Sequence, residues 1–129
     1  MAIEDRATQV VKSFKCVAAL ATNHLVVVLD TAAANSVEMS AANTDVPIGV
    51  LRSTGATAGD LVDVVMFGIA KLTAGAAITR GAHLQLSGAT DGKVKTLVAT
   101  GYDIGTALES AASGDIFEAF INIIGIPKA

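Results

Sequence analysis

The stretch "AGDLVDVVMFG", Ala58 to Gly68, is echoed near the other end of the chain by "SGDIFEAFINI", Ser113 to Ile123. In each, a glycine-aspartate pair suited to a tight turn runs into a segment of alternating polarity, the pattern of a strand with one face toward a core. With Asp60 set against Asp115, Val62, Val64 and Met66 fall on Phe117, Ala119 and Ile121, and Asp63 falls on Glu118. Side chains of a strand alternate between faces, so the three apolar pairs share one face and the acidic pair takes the other. A slip of one residue would invert the match. Upstream, Ile48 and Gly49 correspond to Ile104 and Gly105, with one residue fewer before the second turn. The expectation is two related strand-turn-strand units, about residues 47–72 and 103–127, whose apolar faces pack together to form the centre of the core.

Outward from these units, short apolar segments recur between turn residues. They are "IGVL", "DLVDVVMF", "IAKL", "HLQLS", "KVKTLV", "IGTALE" and "DIFEAFINI", with "TAGAAITRGA" and "SGATDGK" as glycine-bearing loops. Regular spacing of this kind predicts an all-β fold, a compact antiparallel β-barrel or sandwich of the β-tulip or jelly-roll kind. Nearer the N-terminus, "FKCVAAL" places Phe14, Cys16, Ala18 and Leu20 on one face of a strand, and the turn "TNH" leads into "LVVVLD", apolar on both faces. Thr31 to Asp45 reads equally as a short helix, from its alanines, or as a strand between loops, from its Asn, Ser and Thr positions. Residues 1–13 read as an extended arm and 14–129 as a single β-rich domain. Ile3, Val10, Val11 and Phe14 are candidate anchors if the arm adds a strand to a neighbour; the alternative is a frayed terminus.

The 129 residues suffice for one domain with its own core. A hydrophobic fraction of 52% with only 16% charged residues, and a mean hydropathy of +0.58, leave more apolar surface than the charges can easily rim, a first sign of a surface made for partners. "LVVVL" and "VAALA" are far shorter than the ~20 residues of a membrane-spanning helix, and no secretory signal pattern is visible. A net charge of −3 argues against a phosphate backbone as partner. Neither a membrane nor nucleic acid is expected.

The residues offer little chemistry. "GATDGK" has three residues between its glycines where a phosphate loop has four, and Val94 stands where the metal-binding Ser or Thr would be, so a hairpin turn is the better reading. His24 and His83 have no partner at metal-ligand spacing, and the lone Cys16 reads as a small buried hydrophobe. Asp63 and Glu118 could be imagined as a catalytic pair, but a solvated or interface-facing polar side of two strands accounts for them. Asp60 and Asp115 read as turn residues whose carboxylates bind nearby amides. Nothing assembles a nucleophile with a base and an orienting group. The sequence therefore predicts no catalytic, cofactor-binding or metal-binding residues and no enzyme.

The segment Asp45 to Val94, followed by "YDIGTALESAASGDIFEAFI", resembles the head decoration, or capsid cement, proteins of tailed bacteriophages, in the order "GV", "GD.V.V...G.A", "AG.AI..G..L", "DGK", "IG.ALE" and "GD". The resemblance covers roughly Asp45 to Ile121. It implies a β-structured, noncatalytic protein that binds the outside of the expanded capsid in the virion and clamps adjacent major capsid subunits. It also implies synthesis in the cytoplasm of the bacterial host and self-association, commonly as a homotrimer, with dimers also occurring. A small-molecule-binding β-barrel is the alternative reading of the same pattern.

Overall fold

A computed structural model describes residues 9–40, 42, 45–87, 92–98 and 101–123. Among them nine strands form one antiparallel-rich sheet and there is no helix. They are β1 (Gln9–Cys16), β2 (Val26–Leu29), β3 (Ser36–Met39), β4 (Pro47–Leu51), β5 (Leu61–Thr73), β6 (His83–Leu86), β7 (Val94–Thr96), β8 (Gly105–Ala107) and β9 (Ile116–Asn122). The sheet runs β1-β3-β2-β4-β5-β9-β8-β6-β7, and a further pairing of β1 with β5 closes the first five strands into a barrel. The fold is all-β, as the strand spacing predicts. Thr31 to Asp45, open on sequence, supplies a turn through the left-handed Asn35 (φ 55°) and then β3.

The repeat is larger than the two glycine-aspartate turns show. In the β1–β5 ladder Lys15 faces Leu61; in the β5–β9 ladder Thr73 faces Ile116. Val27 faces Met39 and Gly49 in β3 and β4, just as Leu84 faces Thr96 and Gly105 in β7 and β8. Val50 faces Val65 as Thr106 faces Phe120. The parallel pairing of Cys16 with Val37 returns as a bridge between Ala74 and Val94, and the bridge of Leu20 with Gly55 returns as Ile78 with Ala111. Strands β1 to β5 therefore repeat as β5 to β9. The pairs Cys16/Ala74, Val27/Leu84, Gly49/Gly105 and Leu61/Ile116 show the spacing between copies shrinking by one residue at three of the four connections; Val37/Val94 keeps the spacing of Val27/Leu84.

Strand β5 belongs to both copies. It is 13 residues long, about 43 Å at ~3.3 Å per residue, and "DLVDVVMF" and "IAKL", separate strands on sequence, are its two halves. Gly68 joins them with φ 115°, a backbone state that suits glycine. Val10 faces Phe67 while Val11 faces Val65, leaving Met66 as the extra residue of a bulge. Bulge and glycine together turn the strand from one barrel into the next.

The parity derived from the two echoing strands is correct, but their packing differs from the expectation. Val62 and Val64 fill the first barrel with Phe14, Cys16, Leu20, Val27, Val37 and Leu51. Phe117, Ala119 and Ile121 lie in a second cluster with Leu72, Ala74, Ile78, Leu84 and Val94. The two apolar faces point into different barrels because they occupy equivalent places in successive copies, so they cannot meet. The copies are joined instead by the outer face of the first barrel: Val26, Val50 and Val65 belong to the second cluster. Each such fully buried side chain contributes about 1.5–3 kcal/mol. Ala18, expected inside with Phe14, Cys16 and Leu20, is exposed because β1 ends at Cys16 and the chain bends before Leu20 forms its bridge.

The turns repeat as well. Asp60 Oδ2 accepts from the Thr57 amide at 3.0 Å and Asp115 Oδ2 from the Ala112 amide at 3.1 Å. In return the Asp60 and Asp115 amides donate to the Thr57 and Ala112 carbonyls. Asp45 and Ala42 make the same reciprocal pair. Gly49 and Gly105, the other shared signature, lie where β4 and β8 cross closest to β5 and β9. A Cβ on Gly49 would sit 2.5 Å from the Val65 carbonyl oxygen, and one on Gly105 would overlap that of Phe120. Gly49→Ala and Gly105→Ala should each lower stability by about 1–3 kcal/mol in urea unfolding. Gly59→Ala has open space around it but a φ of +94°, and should cost about 1 kcal/mol.

Candidate interaction surface

Of the sequence-predicted anchors, Ile3 lies outside the described residues. The strand it was expected to lead into starts at Gln9, inside the segment read as an arm, and from Gln9 to Lys15 pairs with β5 of its own chain. Phe14 is 5% exposed and fills the first barrel, so it has no surface to give a partner. Its buried parity is set by the register that places it opposite Val62. Val11 is half-buried against the second cluster. Val10, at 56% exposure, is the one described anchor that projects outward.

Val10 does not stand alone. It faces Phe67, which is 47% exposed, and Ile69, at 40%, faces Phe120. The Phe67 and Phe120 rings meet edge to face at 5.3 Å between centroids, a geometry that aromatic quadrupoles favour. The result is a contiguous apolar face spanning β1, β5 and β9. Sequence reasoning passed over Phe67, Ile69 and Phe120. The signal was present beyond the bulge, where alternate positions of β5 read Phe67, Ile69 and Lys71, two large apolar side chains on a face that solvent alone would leave polar.

Beside this face, where β5 passes between barrels, lies a cleft of about 200 Å³ lined by Gln9, His24, Arg52, Ile69, Lys71 and Glu118 among others. Arg52 donates to Gln9 Oε1 at 3.1 Å, and Gln9 Nε2 donates to the Ile69 carbonyl at 2.9 Å. A second, larger groove of about 440 Å³ opens at the far end of the first barrel, between Leu29, Met39, Val46 and Ile48, with Glu38 and Asp45 on its rim. Both are open at the surface.

The remaining candidates resolve into structure. Asp63 and Glu118 sit at equivalent places on different barrels. Asp63 accepts from Ser13 at 2.8 Å, and the Asp63 and Glu118 amides donate to the Ser53 hydroxyl and the Glu109 carboxylate, each at 2.8 Å. Cys16 is buried, its thiol directed at the Thr57 carbonyl. His83 Nδ1 lies 3.0 Å from Asp103 on the outer side of the second barrel. Among the described residues no three His, Cys, Asp or Glu side chains gather to hold a metal, and no helix is long and apolar enough to cross a membrane. The glycine-rich segment Ser87 to Lys93 lies partly outside the described residues.

Against known families, residues 6–123 match the phage cement protein model. The chain belongs to the phage cement protein family. Among solved structures it is similar to the head fiber gp8.5 N base of bacteriophage phi29, with a TM-score of 0.59 and 20% identity over 88% of this chain and 94% of that one. At that identity the likeness is one of fold. No curated protein sequence matches. Cement proteins are structural proteins of the phage particle.

His24 marks how the apolar face is held. It adopts φ 66°, its amide donates to the Leu51 carbonyl, and its carbonyl accepts from the Thr73 amide and hydroxyl, so it ties the first barrel to the far half of β5. Burial, and secondly the Lys71 ammonium, hold its pKa below the usual 6.5. The unfolded chain therefore takes up a proton that the folded chain refuses as pH falls below about 6.5, and stability is lost through that window while remaining level above it. His24→Asn, which tolerates the left-handed backbone, should show a smaller fall in melting temperature between pH 7.5 and pH 5 than the parent. Equal slopes would remove His24 as the source.

Proposed function

We propose that this cement protein binds the exterior of the expanded phage capsid and stabilises it by clamping adjacent major capsid subunits, acting as a homotrimer. The reading is supported above all by family membership over residues 6–123. The surface agrees with it: Val10, Phe67 and Ile69 stay exposed on a rigid two-barrel body whose interiors are filled. Such a body suits a clamp, because it deforms little when neighbouring subunits move apart. Many modest contacts, repeated over a shell, resist rupture without any single strong site. The small-molecule alternative has no comparable support, since both barrels are packed with fully buried side chains and the two clefts open at the surface rather than into a barrel interior.

The reading is tested by adding the protein to expanded, undecorated shells. It should co-sediment with them and raise the temperature at which they disrupt. If it neither sediments with the shells nor changes that temperature, the proposed clamping role is wrong.

A further inference from the structure

The repeat gives the apolar face a counterpart inside the same molecule. Across the outside of the first barrel runs the row Val11, Val65, Val50, Val26, aligned by the β1–β5, β4–β5 and β2–β4 registers. The equivalent row on the second barrel is Ile69, Phe120, Thr106, His83. In the first row Val26, Val50 and Val65 are fully buried and Val11 half-buried, because the second barrel lies against them. In the second row Ile69 remains 40% exposed, with Phe67 beside it at 47%. One chain thus shows what this row is for when it is covered: it seats another barrel of the same kind. Among the described residues no third barrel receives the second copy of the row.

We infer that the row through Ile69 and Phe120, with Phe67 and Val10 beside it, is covered by a barrel of a second copy of this chain. The contact continues outward the packing that joins the two barrels within the chain. Charge permits it. The four apolar side chains carry no charge, so two copies of net charge −3 can approach through them. At the margin Lys71 and Glu118 face each other across β5 and β9, offering both signs to an identical partner. The inference names the face that the self-association proposed above would use, and rests on that association, though not on capsid binding.

The test compares the parent with Phe67→Ser/Ile69→Thr, and with Leu61→Ser, which removes an exposed leucine from β5 away from the row. Mass is measured by light scattering in solution and after cross-linking on decorated shells, with melting curves to show that each variant folds. The parent and Leu61→Ser should give a multiple of 13.0 kDa, and the double variant a folded single protomer with weakened shell binding. A folded double variant that assembles like the parent overturns the assignment of this face. A parent that is a single protomer both in solution and on shells overturns the association itself, while its binding to shells would leave the cement reading standing. A double variant that stays assembled but no longer binds shells places the face against the capsid instead.

Discussion

One strand has to finish a barrel and begin the next. That demand on β5 fixes most of the architecture. Its first half is held by β1 and β4, its second by β9, and a bulge at Met66 with a positive φ at Gly68 redirects it between the two sets of partners. Because the barrels share a strand, they also share a core: Val26, Val50 and Val65 face out of the first barrel and are buried with the interior of the second. Neither barrel can lose its packing without exposing residues that the other needs.

The turns and strand crossings of this body fit closely. Asp60 and Asp115 cap the turns that lead into β5 and β9, and the strand crossings at Gly49 and Gly105 admit no side chain. Polar groups that might have formed a reactive cluster serve backbone amides instead, as Asp60, Asp115, Ser53 and Glu109 do. On the outer surface the aliphatic and aromatic residues of β1, β5 and β9 collect on one side.

The strands were legible in the sequence wherever one face is apolar and the other polar. The repeat was legible where its turns kept the same chemistry, at Gly59-Asp60 and Gly114-Asp115 and at Gly49 and Gly105. It was hidden elsewhere for two physical reasons. Pairs such as Phe14/Leu72 and Cys16/Ala74 meet the same packing demand with different side chains, and the loss of one residue at three of the four connections shifts any simple alignment. Gly68 misled in another way: a glycine between two apolar runs reads as a break, whereas here it bends a continuous strand. Parity identified which residues of β5 and β9 are buried but could not say with whom, since that depends on which barrel each strand half enters. Of the exposed apolar face on β1, β5 and β9, only Val10 had been singled out. Its neighbours became visible once the register set Phe67 against Val10 and Ile69 against Phe120.

The claim that the two barrels form one mechanical unit through β5 is tested most directly by native-state hydrogen exchange followed residue by residue as urea is raised. Amides of β5, β4 and β9 should exchange only through global unfolding, merging at a single free energy. If the amides of β6 to β9 open together at a lower free energy while β1 to β5 stay protected, the barrels are separable and the shared strand does not join them.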